Sequence, residues 1–442
     1  MKISVIGAGL AGCEAANQLT LHGFEVDLYE MKPKKATPAS RYNGFAELVC
    51  SNSLKASRLE SAAGLLKAEM RMLGSLILEC ADKTAVSAGG ALAVDRDKFS
   101  DMVTEKIKAN PKINVIPQEV EKLPEGAVII CSGPLTSDCL AKTISEITGE
   151  GLSFYDAVAP IVSAESIDMD KVFFASRYGR GDDDYINCPF EKEEYLKFYG
   201  ELINAKTAQL KDFEKQAFKV YEGCMPIEVL AKRGEDSMRF GPLKPVGLTN
   251  PKTGRRPYAN LQLRKENNEG TLYNLVGFQT NLKFGEQKRV FSMIPGLENA
   301  EFMRYGVMHR NTYINAPKLL NSDFSMKANE NIFFAGQITG VEGYIESAAS
   351  GIMAGIALSR KLLGNTEFVL PHTTMCGALS KHVSTDNENY QPMGSNMGIL
   401  PGLEERIKGK QERYEALAKR AVIDMKTAIK DMNEVIYNED NC

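Results

Sequence analysis

The first apolar run, Ile3, Val5 and Ile6, stops at Gly7-Ala8-Gly9-Leu10-Ala11-Gly12. A helical spacing follows through Ala15, Ala16, Leu19 and Leu21, and Phe24-Glu25-Val26-Asp27-Leu28-Tyr29-Glu30 then reads as a strand that ends on an acid. Apolar runs recur at Ala127-Val128-Ile129-Ile130-Cys131 and at Asn331-Ile332-Phe333-Phe334-Ala335, each closing towards a glycine (Gly133 and Gly336). The second of these leads into a small-residue helix containing Ala348, Ala349, Gly351, Ala354 and Gly355. Between them, 192–220 has helical spacing and many charges, Thr249-Asn250-Pro251-Lys252-Thr253-Gly254 has turn chemistry, and Leu261-Gln262-Leu263-Arg264 reads as a short strand. The tail from Leu403 to Ile436 predicts one or two amphipathic helices, with Leu403, Ile407, Tyr414, Leu417, Ala421 and Met425 forming a core-facing stripe.

Strand, glycine turn and helix in that order suit a dinucleotide. Gly7 permits the tight turn, Gly9 lets a pyrophosphate approach the backbone, and Gly12 lets the helix pack on the strand. With Ala8 in the turn and Leu10 and Ala11 opening the helix, free N–H groups face the phosphates. Glu30 can accept both ribose hydroxyl protons, and its charge would repel a 2′-phosphate. The late strand and its loop, with Gly336, Glu342, Gly343 and Tyr344, imply a nucleotide fold completed from both ends of the chain. That arrangement favours tightly held FAD over NAD, because a helix terminus can stabilise negative charge on a reduced ring. The expected fold class is α/β: a Rossmann-type FAD-binding domain (1–180 and 311–442, the latter with the C-terminal helices) interrupted by a smaller α+β insertion domain (181–310).

The 442 residues are 43% hydrophobic and 25% charged, which suits a soluble chain with one large or two intimate domains. No apolar run approaches the length of a membrane span, and the opening run reads as a strand and not as a signal peptide. Nine cysteines, without paired spacing or CxxC, point to a reduced, cytoplasmic setting. Four scattered histidines without HExxH predict no metal site. Net charge is −4, but Lys232–Arg310 holds 14 Lys/Arg against 7 Asp/Glu, which leaves the rest of the chain near −11. Such asymmetry fits either a phosphate-facing surface or a basic solvated face.

Longer strings narrow the reading further. Leu48-Val49-Cys50-Ser51-Asn52-Ser53-Leu54-Lys55, Tyr155-Asp156-Ala157-Val158-Ala159-Pro160-Ile161-Val162 and Glu222-Gly223-Cys224-Met225-Pro226-Ile227-Glu228 are three of them. Arg239-Phe240-Gly241-Pro242-Leu243-Lys244-Pro245-Val246-Gly247-Leu248 and Gly277-Phe278-Gln279-Thr280 are two more. In these strings, from Met1 to about Leu403, the chain closely resembles the folate- and FAD-dependent tRNA (uracil-C5-)-methyltransferases. A relative that modifies wobble uridines shares the flavin half but is longer. Gly394-Ser395-Asn396-Met397 departs from the family, which commonly has asparagine directly after Pro-Met.

The resemblance implies methylation of a T-loop uracil in tRNA, with 5,10-methylenetetrahydrofolate as carbon donor and FAD, re-reduced by NAD(P)H, as hydride donor. A sister branch acts on 23S rRNA, and that target stays open, as does a flavin oxidoreductase or an RNA-binding flavoprotein without methylation. Carbon 5 of uracil is a poor nucleophile, so a thiolate must add to carbon 6, a base must take the carbon-5 proton, and the exocyclic methylene then needs a hydride. By resemblance Cys224 is the nucleophile and Cys50 the base, with the division of roles open between them. Ser51, Asn52, Ser53 and Lys55 offer hydrogen bonds and positive charge that favour a Cys50 thiolate, and Cys188 is read as structural. Arg255, Arg256, Lys288, Arg289, His309 and Arg310 are candidates for RNA phosphates, and Tyr258, Phe278 and Tyr305 for base stacking or for core.

Overall fold

The computed structural model describes residues 2–432 except 38, 150–151, 158, 180–181, 209–224, 267–269, 307, 365–367, 388–389, 391 and 406, and excepting the side chains of 152–157 and 308–311. Two six-stranded sheets organise these residues. In the first, the order is Ser325–Met326, Asn329–Phe334, Ala127–Ile130, Ile3–Ile6, Val26–Tyr29 and Ile113–Ile116. All neighbours run parallel except the Ser325–Met326 edge, with Val5 opposite both Leu28 and Ile129, and Ile129 opposite Phe333. The central strands Ile3–Ile6 and Ala127–Ile130 are buried without interruption and apolar but for Ser4, as a parallel sheet covered on both faces requires. This is the Rossmann-type fold expected, and it is completed from both ends of the described chain.

Helices Leu10–Leu21 and Tyr344–Leu362 pack together along one flank of that sheet. Their backbones approach closely because glycine stands at the crossing. A Cβ on Gly351 would lie 2.2 Å from the Ala11 carbonyl oxygen, and one on Gly355 would lie 2.8 Å from the Gln18 Cβ. Two buried glutamates tie further helices in place. Glu14 accepts the N–H groups of Leu76 (3.1 Å) and Ile77 (3.0 Å) at the start of Leu76–Lys83. Glu69 accepts those of Met375 and Cys376, both at 2.8 Å, at the start of Met375–Ser384. Each carboxylate thereby answers orphan helix donors that no water reaches. Burial pushes both carboxyls up to about 7, against the opposing pull of those N–H groups.

The tail forms one helix, Lys410–Asp431, whose Leu417, Ala418, Ala421, Met425 and Ile429 are buried in the first core. The predicted stripe is core, with Tyr414 and Leu403 at its edge.

The second sheet has the order Phe173–Phe174, Ile186–Phe190, Ala259–Lys265, Leu272–Leu275, Ile161–Ser163 and Phe302–Arg304. Two of its strands precede Gly181, so the sheet begins about twenty residues before the expected boundary of the insertion. A two-stranded antiparallel ribbon, Leu152–Ala157 with Met308–Tyr313, leads into this unit and out of it. Helix Lys192–Asn204 covers one face, and its Tyr195, Phe198 and Leu202 join Leu261, Leu263, Phe278 and Phe291 in a separate core. Along Ala259–Lys265 the alternation is strict: Leu261 and Leu263 enter that core while Asn260, Gln262 and Arg264 point the other way. Those polar residues are also buried. Asn260 and Gln262 donate to Asn187 on the neighbouring strand and Arg264 reaches Asn52 and Ser51, so this face carries hydrogen bonds where a solvated face would carry water.

Candidate active site

The nucleotide end is made chiefly of backbone. Gly7 has φ +101°, and a Cβ there would lie 2.6 Å from the Cys131 carbonyl oxygen. A Cβ on Gly12 would lie 1.8 Å from the Gly7 carbonyl oxygen, so helix and turn touch only because both residues are glycine. A Cβ on Gly9 would meet nothing within 4 Å, which leaves that face of the turn open to a ligand. Helix Leu10–Leu21 has neither a capping side chain nor an acid in its first turn. Its exposed donors and positive dipole end therefore suit a phosphate. Glu30 Oε2 accepts the Ala8 N–H at 2.9 Å, and Oε1 accepts the Lys32 N–H at 2.9 Å. Those bonds aim the carboxylate and leave each oxygen a lone pair for a ribose hydroxyl. A cavity of about 200 Å³, open to solvent, joins Gly7, Ala8, Gly9 and Glu30 to Gly133, Pro134 and Val49.

The late loop closes over the same helix. Gly336 has φ +86°, its N–H donates to Ser350 Oγ at 2.7 Å, and a Cβ there would meet the Ala11 Cβ at 3.1 Å. Both oxygens of Glu342 accept Gln337 Nε2, at 2.8 and 2.7 Å, so this carboxylate stiffens the loop. Gly343, at φ +125°, has no room for a side chain beside Glu346. Ser395, in the stretch that departs from the family pattern, donates its N–H (2.9 Å) and hydroxyl (2.6 Å) to Glu346 Oε1.

Cys50 lies at the seam between the two halves, and it is half-buried. Tyr344 does not present its hydroxyl to an open pocket. Its oxygen accepts the N–H groups of Cys50 (2.7 Å) and Ser51 (3.1 Å), and burial raises its pKa well above that of an ordinary phenol. Three arginines hold the rest of the Cys50 loop. Arg96 donates to the carbonyls of Leu48 (2.8 Å) and Val49 (3.3 Å) and pairs with the buried Glu266 at 2.6 Å. Arg304 donates to the Val49 carbonyl at 3.1 Å. Arg264 donates to Asn52 Oδ1 at 2.9 Å and to the Ser51 hydroxyl. Burial pulls the Arg304 guanidinium down to about 10, still protonated at neutral pH and within electrostatic reach of Cys50. Lys55, expected to supply that charge, is drawn instead to Glu346 at 2.6 Å. The cationic environment of Cys50 thus comes from Arg96 and Arg304, which sequence neighbours did not suggest. A second cavity of about 390 Å³ opens beside this loop, lined by Arg41, Tyr42, Asp95, Arg96, Glu266 and Arg304.

Cys224 lies outside the described residues. The chain on either side of 209–224 is anchored at one place: Ala208 donates to the Asn281 carbonyl at 2.8 Å, and Ile227 donates to the Gln279 carbonyl at 2.7 Å. Cys188 is wholly buried in the second core, where desolvation raises its thiol far above the usual range. Among the basic candidates, Arg255 and Arg256 are exposed beside the Asn250–Arg255 turn, and Lys288 is exposed on helix Phe284–Phe291. Arg289 is held by Glu201 and, at 2.8 Å, by Glu286. His309 and Arg310 stand on the ribbon strand opposite Asp156 and Tyr155, and their side chains are outside the described residues. Phe278 is core, Tyr258 lies under the Arg239 guanidinium at 3.8 Å, and Tyr305 lies within an aromatic stack. Among the described residues, no group of three or more His, Cys, Asp or Glu is placed to hold a metal ion, and no helix is long and apolar enough to cross a membrane.

The glycine turn, Glu30 and the returning late strand together define a doubly wound dinucleotide-binding protein of the flavoprotein type. Comparison with known proteins gives the family. The model of the GIDA family, glucose inhibited division protein A, matches residues 2–366. A methylenetetrahydrofolate--tRNA-(uracil-5-)-methyltransferase TrmFO of Acetivibrio thermocellus is 59% identical over 95% of this chain and 97% of its own. The protein of the same name from Enterococcus faecalis is 56% identical over 95% and 97%. The chain belongs to the GIDA family, alongside these methyltransferases. Its fold matches that of Aquifex aeolicus GidA, with a TM-score of 0.68 at 16% identity, over 97% of this chain and 75% of that one.

Proposed function

We propose that this chain methylates carbon 5 of a uracil in the T-loop of tRNA, taking the carbon from 5,10-methylenetetrahydrofolate. The observation that carries this reading is the Cys50 junction, where the loop bearing a half-buried thiol is fixed by Tyr344 and three arginines between the nucleotide fold and the second sheet. The names of relatives more than half identical to this chain give the substrate and the carbon donor. FAD fits the residues present: an open Gly9, an uncapped helix terminus, an aimed Glu30 and a late loop set by Gly336 and Gly343. When bound, FAD supplies the hydride and is replenished by NADH or NADPH.

The chain's own side chains do the rest. The Cys224 thiolate adds to carbon 6, opening the 5,6 double bond to an enolate. Carbon 5 then bonds to the one-carbon unit as its bond to one of the two folate nitrogens breaks. Cys50 takes the carbon-5 proton as the bond to the second folate nitrogen breaks, which frees tetrahydrofolate and leaves an exocyclic methylene. Departure of the Cys224 sulfur restores the 5,6 double bond as the methylene becomes methyl by accepting the hydride. The Arg304 guanidinium, within electrostatic reach of Cys50, favours the thiolate form for that step. The chain divides into a nucleotide domain at its two ends and an insertion carried on the ribbon, and its cysteine pattern suits the cytoplasm.

The test supplies purified protein with methylenetetrahydrofolate, NADPH and unmodified tRNA or rRNA transcripts, and scores 5-methyluridine by nucleoside mass spectrometry. Product in tRNA at the T-loop is expected. Product only in rRNA, or none from a yellow and reducible protein, overturns the assignment.

A further inference from the structure

The second sheet carries an aromatic ladder with one end in solvent. Phe302 and Tyr305 stack at 5.3 Å between centroids and 11° between planes. Tyr305 and Phe284 continue the stack at 4.9 Å and 17°. The inner end rests on the buried Phe291, whereas Phe284 is 55% exposed. Three nearly parallel rings with a bare outer member cost apolar exposure, and such a surface calls for a flat partner.

Its surroundings favour an anion-bearing partner. Lys206, Lys283 and Lys288 are exposed around Phe284, and the Lys283 N–H donates to the Lys206 carbonyl at 3.0 Å. Lys288 follows Phe284 by four residues on the same helix and so shares its face. Among the described residues, Glu201 and Glu286 are both engaged by Arg289, which lowers their competition for the lysines. The ladder also lies between the anchored flanks of 209–224 and the Cys50 loop. Phe284 directly follows Gln279–Lys283, where both flanks of 209–224 are anchored, and Cys224 is three residues from Ile227. At the other end, strand Phe302–Arg304 carries the arginine that holds Val49, beside Cys50.

We infer that Phe284, backed by Tyr305 and Phe302, is a stacking platform for an unpaired base of the RNA substrate, with Lys206, Lys283 and Lys288 holding the flanking phosphates. The inference rests on the RNA reading above and adds to it the surface that seats the RNA. Stacking tolerates any base, so the platform sets RNA position and affinity while discrimination lies elsewhere.

The test compares wild type, Phe284→Ala, Phe284→Trp and the double variant Lys283→Ala/Lys288→Ala, binding an unmodified tRNA transcript over a range of salt. Phe284→Ala is expected to weaken binding roughly 5- to 150-fold, the equivalent of ~1–3 kcal/mol per stacked base, and to raise the KM for RNA with little change in kcat. Phe284→Trp is expected to bind at least as tightly as wild type. The lysine pair is expected to flatten the salt slope by about two charges. Wild-type affinity in Phe284→Ala overturns the platform. So does a Phe284→Ala protein whose sedimentation shows a lost dimer, or whose FAD content and unfolding temperature fall in step with its RNA affinity. A wild type that binds RNA through Phe284 yet forms no 5-methyluridine would sink the methylation reading and leave the platform standing.

Discussion

The two ends of the site are made of different material. Around the nucleotide turn, the decisive features are missing side chains: Gly7, Gly9, Gly12, Gly351 and Gly355 let backbone approach backbone or ligand. Around Cys50 the decisive features are long charged side chains and one phenol, brought in from Arg96, Arg264, Arg304 and Tyr344. A backbone site is rigid and general, and it binds whatever carries a pyrophosphate and a ribose. A site of converging charges depends on the docking of separate elements, and it can hold one thiol in one electrostatic state. Binding and chemistry are therefore separable by mutation.

The largest effect should come from Cys50→Ala, with methylation falling about 10²- to 10⁴-fold, the range for loss of a positioned base. The flavin absorbance of that variant should match wild type, and a colourless variant would show that the two ends are not independent. Gly12→Ala should act in the opposite sense, because its methyl would lie 1.8 Å from the Gly7 carbonyl oxygen. Purified Gly12→Ala should carry little FAD, by absorbance at 450 nm (roughly where any bound flavin absorbs), and should lose methylation only in proportion. Arg304→Met should be milder, since Arg96 still holds Val49. A rate loss of about 10-fold or more is expected, from ~1.5–3 kcal/mol for a hydrogen bond to a charged group. FAD should be retained, and the pH–rate profile should shift to higher pH as the Cys50 thiol loses a cation.

The smallest effect concerns scaffold and not site. Glu14 and Glu69 hold their protons to about pH 7 when folded, against about 4.5 as the ordinary value. The folded chain therefore binds protons more tightly than the unfolded one in that window. The stability this supplies is complete below about pH 4.5 and is lost as pH rises through about 7, on the order of 2–3 kcal/mol per group at most. Glu14→Gln should flatten that fall in urea unfolding measured from pH 5 to 8, and an unchanged slope would refute the assignment.

The same contrast explains what could be read in the sequence. The glycine turn is local, so its spacing spells out its geometry within six residues, and Glu30 follows on the next strand. The late strand was visible as an apolar run closing on Gly336 for the same reason. The Cys50 junction is assembled across the chain: Arg264 lies 212 residues from Asn52, and Tyr344 lies 294 from Cys50. Proximity in sequence pointed to Lys55, which folding turned towards Glu346. Asn260, Gln262 and Arg264 alternate with leucines in the manner of a solvated strand face, yet that face is buried, with Arg264 received by Ser51 and Asn52. One signal was available, since an arginine in a short strand between leucines is costly unless something receives it. Phe278 looked as eligible for stacking as any aromatic and is core, whereas Phe284 carries the exposed ring.

The neighbour of Ala127–Ile130 in the first sheet is Asn329–Phe334, about two hundred residues further along the chain. During synthesis, which proceeds at about 5–20 residues per second, the glycine turn leaves the ribosome early, but the strand and helix that close over it follow only after the second sheet has been made. For most of its translation the growing polypeptide holds half a cofactor pocket and an insertion already able to gather its own core. Cofactor loading is thus a late event in the life of each molecule, and it doubles as a report that synthesis has passed the insertion.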